Sequence, residues 1–333
     1  IVNVTLLSVI DNRNLYMLSI INRENEMKLT NHNNINPVFE EVYNKDSYDS
    51  GECDISVTQM IDSPQIRILG EKHKGDLTRD LNSVIPAMLG TMIHEQLSVV
   101  DLPYPNLKEQ RFFMELGGWM VSGCPDIISL INGRYIIGDY KFTGEYAVRN
   151  IKSDWEKQLN VYAYLTKHGK TSDGKTFSDI TKGSWGDVPF KTVTKLNITA
   201  IIRDWKQREA NRNKEYPQSW VVDIPIRLWP EPEQREYIKE RISIHQEAQQ
   251  MFDELNMTPH CTESERWMSG HVYAVMKAGK KRAEKLFSDR YQAEQYCSKV
   301  KGGYVEDRVP ESTRCQSYCS VSDYCEQWFR RKQ

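Results

Sequence analysis

Asp126, Asp139, Lys141 and His94 are the residues whose types and spacing can do chemistry. Asp126 and Asp139 flank a twelve-residue stretch, Ile127 to Gly138, with Asn132-Gly133 at its centre. Asn-Gly between two runs of β-formers is among the strongest hairpin signals a sequence offers. Here the flanking runs are Asp126-Ile-Ile-Ser-Leu-Ile131 and Arg134-Tyr-Ile-Ile-Gly-Asp139. If the turn is centred on that dipeptide, Ile131 faces Arg134. At constant register Asp126 then faces Asp139. Directly opposed side chains have Cβ atoms roughly 4.5–5.5 Å apart, and like charges there are destabilising. Such a pair asks for a cation between its members, or for one carboxyl to be protonated. Lys141 lies two residues beyond Asp139 and projects from the same face. Two carboxylates beside an ammonium are the inventory of metal-dependent phosphodiester hydrolysis.

The elements that must position these residues can be read from the surrounding pattern. Ser83-Val-Ile-Pro-Ala-Met-Leu-Gly-Thr-Met-Ile-His-Glu-Gln-Leu97 reads as a helix, with Ser83 as N-cap and Pro86 in the first turn. Ala87, Gly90, Thr91 and His94 share one face, small enough to approach a sheet closely and present the imidazole to it. Before it, Ser56 or Thr58 caps a short helix that Pro64 ends or follows. Residues 109–122 predict a strand with a Gly117-Gly118 turn, where Glu109 or Glu115 could add a carboxylate. Residues 152–168 predict a helix capped by Ser153, with Glu156 completing a capping box. Gln158 and Tyr162, at i and i+4, share one of its faces. A Gly/Ser/Asp/Lys stretch over 169–189 reads as flexible. Strands are expected at 195–205 and 220–228, and a long charged helix at 231–254.

The last 75 residues differ in character. Tyr273 to Phe287 reads as a Gly-turned hairpin carrying Lys277, Lys280, Lys281, Arg282 and Lys285. Basic hairpins are commonly just solvated, but beside a phosphodiester-cleaving site they are also where phosphates would be met. After it comes Cys315-x3-Cys319-x5-Cys325, three cysteines in eleven residues. That density predicts a metal-ligand cluster needing a fourth donor. Cys261 is the best candidate, Cys297 and Cys53 are weaker, and Cys124 lies beside the carboxylates.

Composition bounds the rest. The 333 residues suffice for one large domain or two ordinary ones. Charge is balanced, 44 basic against 46 acidic, so any polyanion must be met by a local patch. No run approaches the roughly 20 apolar residues of a membrane span. Val2–Ile10 reads as an early strand, not as a secretory signal. Seven cysteines, an odd count, speak against a disulfide framework and for a reducing compartment. The location expected is cytoplasmic or nucleoid-associated. No Gly-x-x-x-x-Gly-Lys-Ser/Thr loop occurs, so ATP-driven unwinding would need a helicase or recombination partner.

Taken in order, Gly90-Thr-Met-Ile-His94, Gly123-Cys-Pro-Asp126, Gly138-Asp-Tyr-Lys141 and Gln158-Leu-Asn-Val-Tyr162 resemble the motifs of the PD-(D/E)XK nuclease superfamily, specifically its RecB-like exonuclease branch. The resemblance covers about residues 54–205, and the cysteine-rich end separately. It implies an α/β restriction-endonuclease-like core, a central mixed sheet flanked by helices, with a C-terminal cluster-bearing extension. The expected division is an N-terminal polar extension over 1–53, a core over 54–210 and the extension over 211–333. Asp126, Asp139 and His94 would hold Mg²⁺ or Mn²⁺, the imidazole favouring Mn²⁺. By analogy with the family, the Tyr140 carbonyl is a further ligand. Lys141 would orient a water and offset charge in the transition state. Gln158 and Tyr162 would position the DNA strand or the shell around Lys141 and the metal.

Iron–sulfur members of that branch carry a 4Fe–4S cluster held by one early cysteine and a C-terminal trio, which staples the nuclease fold shut. This chain departs at the early position, where Gln59-Met-Ile-Asp-Ser-Pro64 holds Ser63. Cys261 would substitute from a later position, or the site binds zinc as Cys₄ or as Cys₃His with His260. The expected function is a DNA exonuclease acting on a single strand or a duplex end. A structure-specific endonuclease and a catalytically idle DNA-binding recombination accessory protein are the alternatives. A cluster-bearing redox protein is disfavoured by the paired carboxylates and Gln158-x3-Tyr162.

Overall fold

The structure, a computed structural model, describes residues 28–45, 51–186, 190 and 192–332. The expected strand Val2–Ile10 lies outside these residues. The chain forms two compact units, one of residues 1–64 and 74–257, the other of residues 65–73 and 258–333. The architecture is α/β, with mixed sheets flanked by helices.

In the first unit, β1 (Lys28–Thr30) pairs in parallel with a later strand, and α1 (Val38–Lys45) follows it. Then come β2 (Ile55–Ser56) and α2 (Val57–Ile61). Ser56 caps α2 and Gln59 completes the capping box. The helix α3 (Pro64–Lys72) begins at the proline, as its fixed φ favours. β3 (Thr78–Asp80) is the partner of β1 and leads into α4 (Leu81–Ser98).

The cap of α4 differs from expectation. Asp80, not Ser83, is the N-cap, accepting from the Asn82 amide at 3.1 Å. Asp80 is fixed by the pairing with β1, where the Thr30 hydroxyl and the His32 amide donate to Oδ2. The helix therefore starts three residues early, and Pro86 sits inside it rather than in its first turn.

A five-stranded sheet follows, built from β4 (Asn106–Lys108), β7 (Ile127–Ile131), β8 (Arg134–Thr143), β9 (Lys195–Ile202) and β10 (Val221–Ile226). Their spatial order is β10-β9-β8-β7-β4, with β8 and β9 parallel and the other pairs antiparallel. Beside it, β5 (Phe112–Leu116) and β6 (Trp119–Gly123) form a three-stranded sheet with β2. Gly117 and Gly118 make the β5–β6 turn at positive φ, as the dipeptide predicts.

The core is closed by α6 (Ser153–His168), which follows the short α5 (Glu145–Arg149). Residues Gln158 to Thr166 of α6 are all buried, so this helix is enclosed on every side. Its expected cap is absent. Lys152 holds the N-cap position without a side-chain bond. Glu156 instead accepts from the Trp229 indole at 2.5 Å. A tertiary partner wins over the local capping box.

The stretch expected to be flexible holds α7 (Phe177–Thr181), capped by Thr176 with Asp179. Phe177, Tyr135, Trp185 and Phe190 pack ring on ring, with Phe177 1 % exposed. Burying one such ring is worth about 1.5–3 kcal/mol. That fixes a segment whose composition reads as loop. The unit ends with α8 (Gln207–Arg212) and α9 (Glu231–Leu255). The division falls at 257/258 rather than 210/211, because β10 completes the sheet on β9 and α9 buries Ile238 and Ile242 in the same core.

The second unit carries an antiparallel sheet of β11 (Val272–Lys277), β12 (Lys285–Phe287) and β13 (Gly303–Arg308), with α10 (Arg290–Cys297) between β12 and β13 in sequence. Its C-terminal part holds α11 (Thr313–Ser317) and α12 (Glu326–Lys332).

Candidate metal centre and thiol pocket

The hairpin forms in the expected register. Asn132 and Gly133 have φ of 51° and 71°, Ile131 pairs with Arg134, and Ile127 pairs with Gly138. Asp126 lies just before the last paired residue of β7, and its Oδ2 accepts from the Tyr140 amide at 2.6 Å. Two motif glycines are required by space. A Cβ on Gly138 would meet Ile127 Cγ2 at 2.8 Å, and one on Gly123 would meet Leu165 Cδ1 at 2.7 Å. Gly138 lets the two hairpin strands close on each other, and Gly123, at the end of β6, lets β6 close on α6.

Both carboxylates are buried, with Asp126 8 % and Asp139 2 % exposed. They lie at the floor of a cavity of 520 Å³ with His94, Glu109, Lys141, Gln158 and Tyr162 in its wall. Burial, then the Asp139 charge, raises Asp126 from the ordinary value of 3.8 to about 8. Lys141 Nζ lies 2.6 Å from Asp139 Oδ2 and donates to Gln158 Oε1 at 3.1 Å. Gln158 Nε2 in turn donates to the Tyr162 hydroxyl at 2.9 Å. The i, i+4 pair on α6 thus holds the ammonium. Oδ2 of Asp139 is buried and makes no hydrogen bond of good geometry, although the ammonium is close.

His94 is placed by α4. Its Nε2 lies 2.9 Å from the Tyr140 carbonyl and its Nδ1 3.4 Å from Asp126 Oδ2. The carbonyl can only accept, so Nε2 carries the proton in the neutral ring. Burial outweighs the opposing Asp139 charge and lowers the His94 pKa, which favours that neutral form. The Nδ1 lone pair then faces a carboxylate oxygen. Two acceptors at this distance need a proton or a cation between them. Donor atoms of His94, Glu109 and Asp126 lie within 4.8 Å of one another, a set that fits a divalent cation.

The expected ligand set is rearranged in two respects. The Tyr140 carbonyl is engaged by His94, and the Asp139 carboxylate turns to Lys141. Both candidate carboxylates are exposed, but Glu109 enters the group whereas Glu115, on β5, does not. Glu109 has a φ of 49°, the left-handed region, and its amide donates to the Asp126 carbonyl at 3.2 Å. Burial raises its carboxyl above the usual range. The face of Ala87, Gly90 and Thr91 lines the cavity, and it also approaches the sheet, where a Cβ on Gly90 would meet Phe142 Cβ of β8 at 3.9 Å. Its small side chains create the space. Arg111 also lines the cavity and was not singled out in sequence. Its only signal is its alternation with buried Phe112.

In the second unit, Cys261, Cys315, Cys319 and Cys325 line one small pocket, together with Gln65. Gln327, two residues beyond the last cysteine, holds Cys261 by a double amide bond. The Cys261 amide donates to its Oε1 at 2.8 Å, and its Nε2 donates to the Cys261 carbonyl at 2.9 Å. The Cys261 thiol donates to Gln65 Oε1 at 3.0 Å. Ser63 is thus bypassed, and Gln65 two residues on reaches the thiols. Burial raises the Cys315 and Cys319 thiols. His260 is exposed, and Cys297, at the end of α10, does not line the pocket. Cys53 belongs to the first unit, and burial pushes the Cys124 thiol to about 12. Lys277, Lys280, Lys281, Arg282 and Lys285 are exposed, with Lys280 bonded to Glu284 at 2.7 Å.

Among the described residues, no helix is long and apolar enough to cross a membrane. No protein-family model matches this sequence. No curated protein matches it either. A solved structure titled "Crystal structure of SSO0001" is similar at 16% identity, over 62% of this chain and 82% of that one, with a TM-score of 0.37. A likeness of that degree carries no argument.

Proposed function

We propose that this chain is a metal-dependent DNA exonuclease of the PD-(D/E)XK type, with a restriction-endonuclease-like core, acting on a single strand or a duplex end. The observation that carries the reading is one cavity holding two opposed buried carboxylates, a neutral imidazole aimed at one of them and an ammonium bonded to the other. Hard carboxylate oxygens with one imidazole suit Mg²⁺ or Mn²⁺. A divalent cation held there supplies polarisation of a phosphoryl oxygen and an acidified water. Asp126, His94 and Glu109 hold it. The Tyr140 amide fixes the Asp126 carboxylate, and the Tyr140 carbonyl fixes the imidazole. Lys141, steadied by Gln158 and Tyr162, places a positive charge where negative charge builds on the phosphoryl group.

The four thiols are the proposed ligands of a structural 4Fe–4S cluster. What supports a cluster is one small pocket lined by all four cysteines, and a tetrahedral zinc is the alternative occupant. The exposed basic residues of the β11–β12 hairpin are proposed phosphate contacts, and an unwinding partner and a cytoplasmic or nucleoid-associated location complete the reading.

The test is digestion of 5′- and 3′-labelled DNA, linear and circular, with Mg²⁺ or Mn²⁺. Linear strands should be degraded and circles spared. Asp139→Ala and Lys141→Ala should each lower the rate by about a thousandfold or more, in keeping with loss of a transition-state charge partner. Retained cleavage in both variants sinks the site. Cleaved circles favour the endonuclease.

A further inference from the structure

Residues 203–220 join β9 to β10 and take no part in the chemistry above. The segment sets Arg203, Lys206, Arg208, Arg212 and Lys214 against Asp204, Glu209 and Glu215. It is held by its own polar bonds. The Trp205 indole donates to the Pro217 carbonyl at 2.7 Å, and the Lys206 amide donates to the hydroxyl of buried Tyr216 at 3.0 Å. At its far end the Trp220 carbonyl accepts from the Ile202 amide at 2.9 Å. The rings of Trp205 and Trp220 meet with centroids 5.6 Å apart. Trp220 is nevertheless 53 % exposed. An indole is buried in most settings, because it carries a large apolar surface. Here a fixed neighbour supports it and leaves much of it in solvent.

The charges around the two rings are one-sided. Arg203, Lys206, Arg208 and Lys214 are exposed, and none of the four meets an acid among the described residues. Arg212 lies 3.9 Å from Glu209, and Asp204 Oδ1 accepts from the Glu145 amide at 2.7 Å. That leaves Glu215 to oppose four cations. The segment is also tied to the strand that carries Lys141. The Arg203 amide donates to the Thr143 carbonyl of β8 at 2.9 Å. Val221 pairs with Ile201, and Ile201 with Phe142. Val221 therefore lies two strands and one row from Lys141, about 10 Å from backbone to backbone. Trp220 immediately precedes Val221, so a nucleic-acid strand held at Lys141 can reach its ring within a few nucleotides. Exposed aromatic rings among cations suit a single strand, whose bases stack on the rings while its phosphates meet the charges. A duplex keeps its bases stacked on one another and offers such rings little.

We propose that Trp220, supported by Trp205 and flanked by Arg203, Lys206, Arg208 and Lys214, is a stacking platform for the bases of a single DNA strand whose end lies in the carboxylate cavity. This rests on the nuclease reading and narrows its substrate to the single strand. The test uses the full chain carrying Asp139→Asn, with a fluorescent oligonucleotide in Mg²⁺, as a single strand and as a blunt duplex, titrated across salt concentrations. Adding Trp220→Ala should weaken single-strand binding about tenfold, the share of one stacked base, at an unchanged slope of log affinity against log salt. Duplex binding should not change. Trp220→Phe should restore most of the affinity, because it restores a ring face. Lys206→Gln combined with Arg208→Gln should instead reduce the slope by about 1.4, at about 0.7 for each phosphate contact on a single strand. With Asp139 intact, Trp220→Ala should raise KM for a long strand far more than it lowers kcat, and should leave cleavage of a dinucleotide unaffected. A folded Trp220→Ala protein with wild-type affinity and KM for the single strand overturns the platform and leaves the nuclease standing. Equal losses on strand and duplex overturn it as well. Lower thermal stability at unchanged affinity assigns the two rings a merely structural role. A wild-type chain that binds the strand through Trp220 without cleaving it keeps the platform and removes the nuclease. One that neither binds nor cleaves removes both.

Discussion

The carboxylate cavity of the first unit and the thiol pocket of the second are built in opposite ways. Asp126, Asp139 and Lys141 come from one hairpin, and a two-residue turn fixes their relation within one short stretch of chain. The thiols come from residues 261 and 315–325, with Gln65 added from nearly two hundred residues earlier. One site is local geometry that tertiary structure then furnishes with an imidazole. The other exists only when distant segments meet. A local site should tolerate loss of its ligands without unfolding. An assembled one should depend on its ligand for its own order.

The sharpest way to break that contrast is a pair of substitutions. Asp139→Asn should abolish cleavage and leave the melting temperature within a few degrees of wild type. Cys261→Ala should strip the metal and open residues 258–333 to limited proteolysis. Anaerobically purified wild-type protein should be brown with broad absorption near about 400 nm, as cysteine-ligated iron–sulfur clusters are. Cys261→Ala should be colourless and Cys297→Ala should keep the colour. A colourless wild type with stoichiometric zinc reverses the choice of metal. Colour retained in Cys261→Ala removes it as a ligand.

Packing separates the regions by a smaller amount. In Gly123→Ala the new methyl would lie 2.7 Å from Leu165, 2.9 Å from Val57 and 3.0 Å from Tyr162. Such overpacking costs about 1–3 kcal/mol, or roughly 2–10 °C in a unit of this size. Gly70→Ala, in α3, has open space around it. There the substitution should be neutral, or stabilise by about 0.5–1 kcal/mol through helix entropy. Equal thermal shifts for the two would deny that β6 and α6 are pressed together at Gly123.

A pH dependence confined to the carboxylate site separates the two regions in another way. The Asp126 pKa is raised on folding, from 3.8 to about 8. The folded, metal-free protein therefore keeps a proton that the unfolded chain releases first. This contribution is fully present below pH 3.8 and is lost as pH rises through about 8. In EDTA, the melting temperature should fall by several degrees between about pH 5 and 8.5 through this group. Mg²⁺ or Mn²⁺ should restore it at the upper end, because the cation takes the proton's place. Asp126→Asn should lack the slope. A wild-type slope in that variant assigns the titration to another group.

What could be read from the sequence follows the same divide. Asn132-Gly133, the alternation on both sides of it and the i, i+4 spacing of Gln158 and Tyr162 placed the hairpin, its facing carboxylates and the helix that supports Lys141. These are short-range rules, enforced by turn sterics and by the periods of strand and helix. The trio Cys315, Cys319 and Cys325 was legible for the same reason. The caps of α4 and α6 were misread because Asp80 and Glu156 have partners far away in sequence. The stretch around Phe177 was misread because loop-like composition hid aromatic rings that only a folded core can stack.

The sequence by itself placed two carboxylates and a lysine around one hairpin, and three cysteines within eleven residues. Only the tertiary structure decided the rest. Glu109 rather than Glu115 joins the group, Cys261 rather than His260 joins the pocket, and Arg111 faces the cavity. Local periodicity fixes which way a side chain points, but the neighbour it meets depends on how remote segments pack.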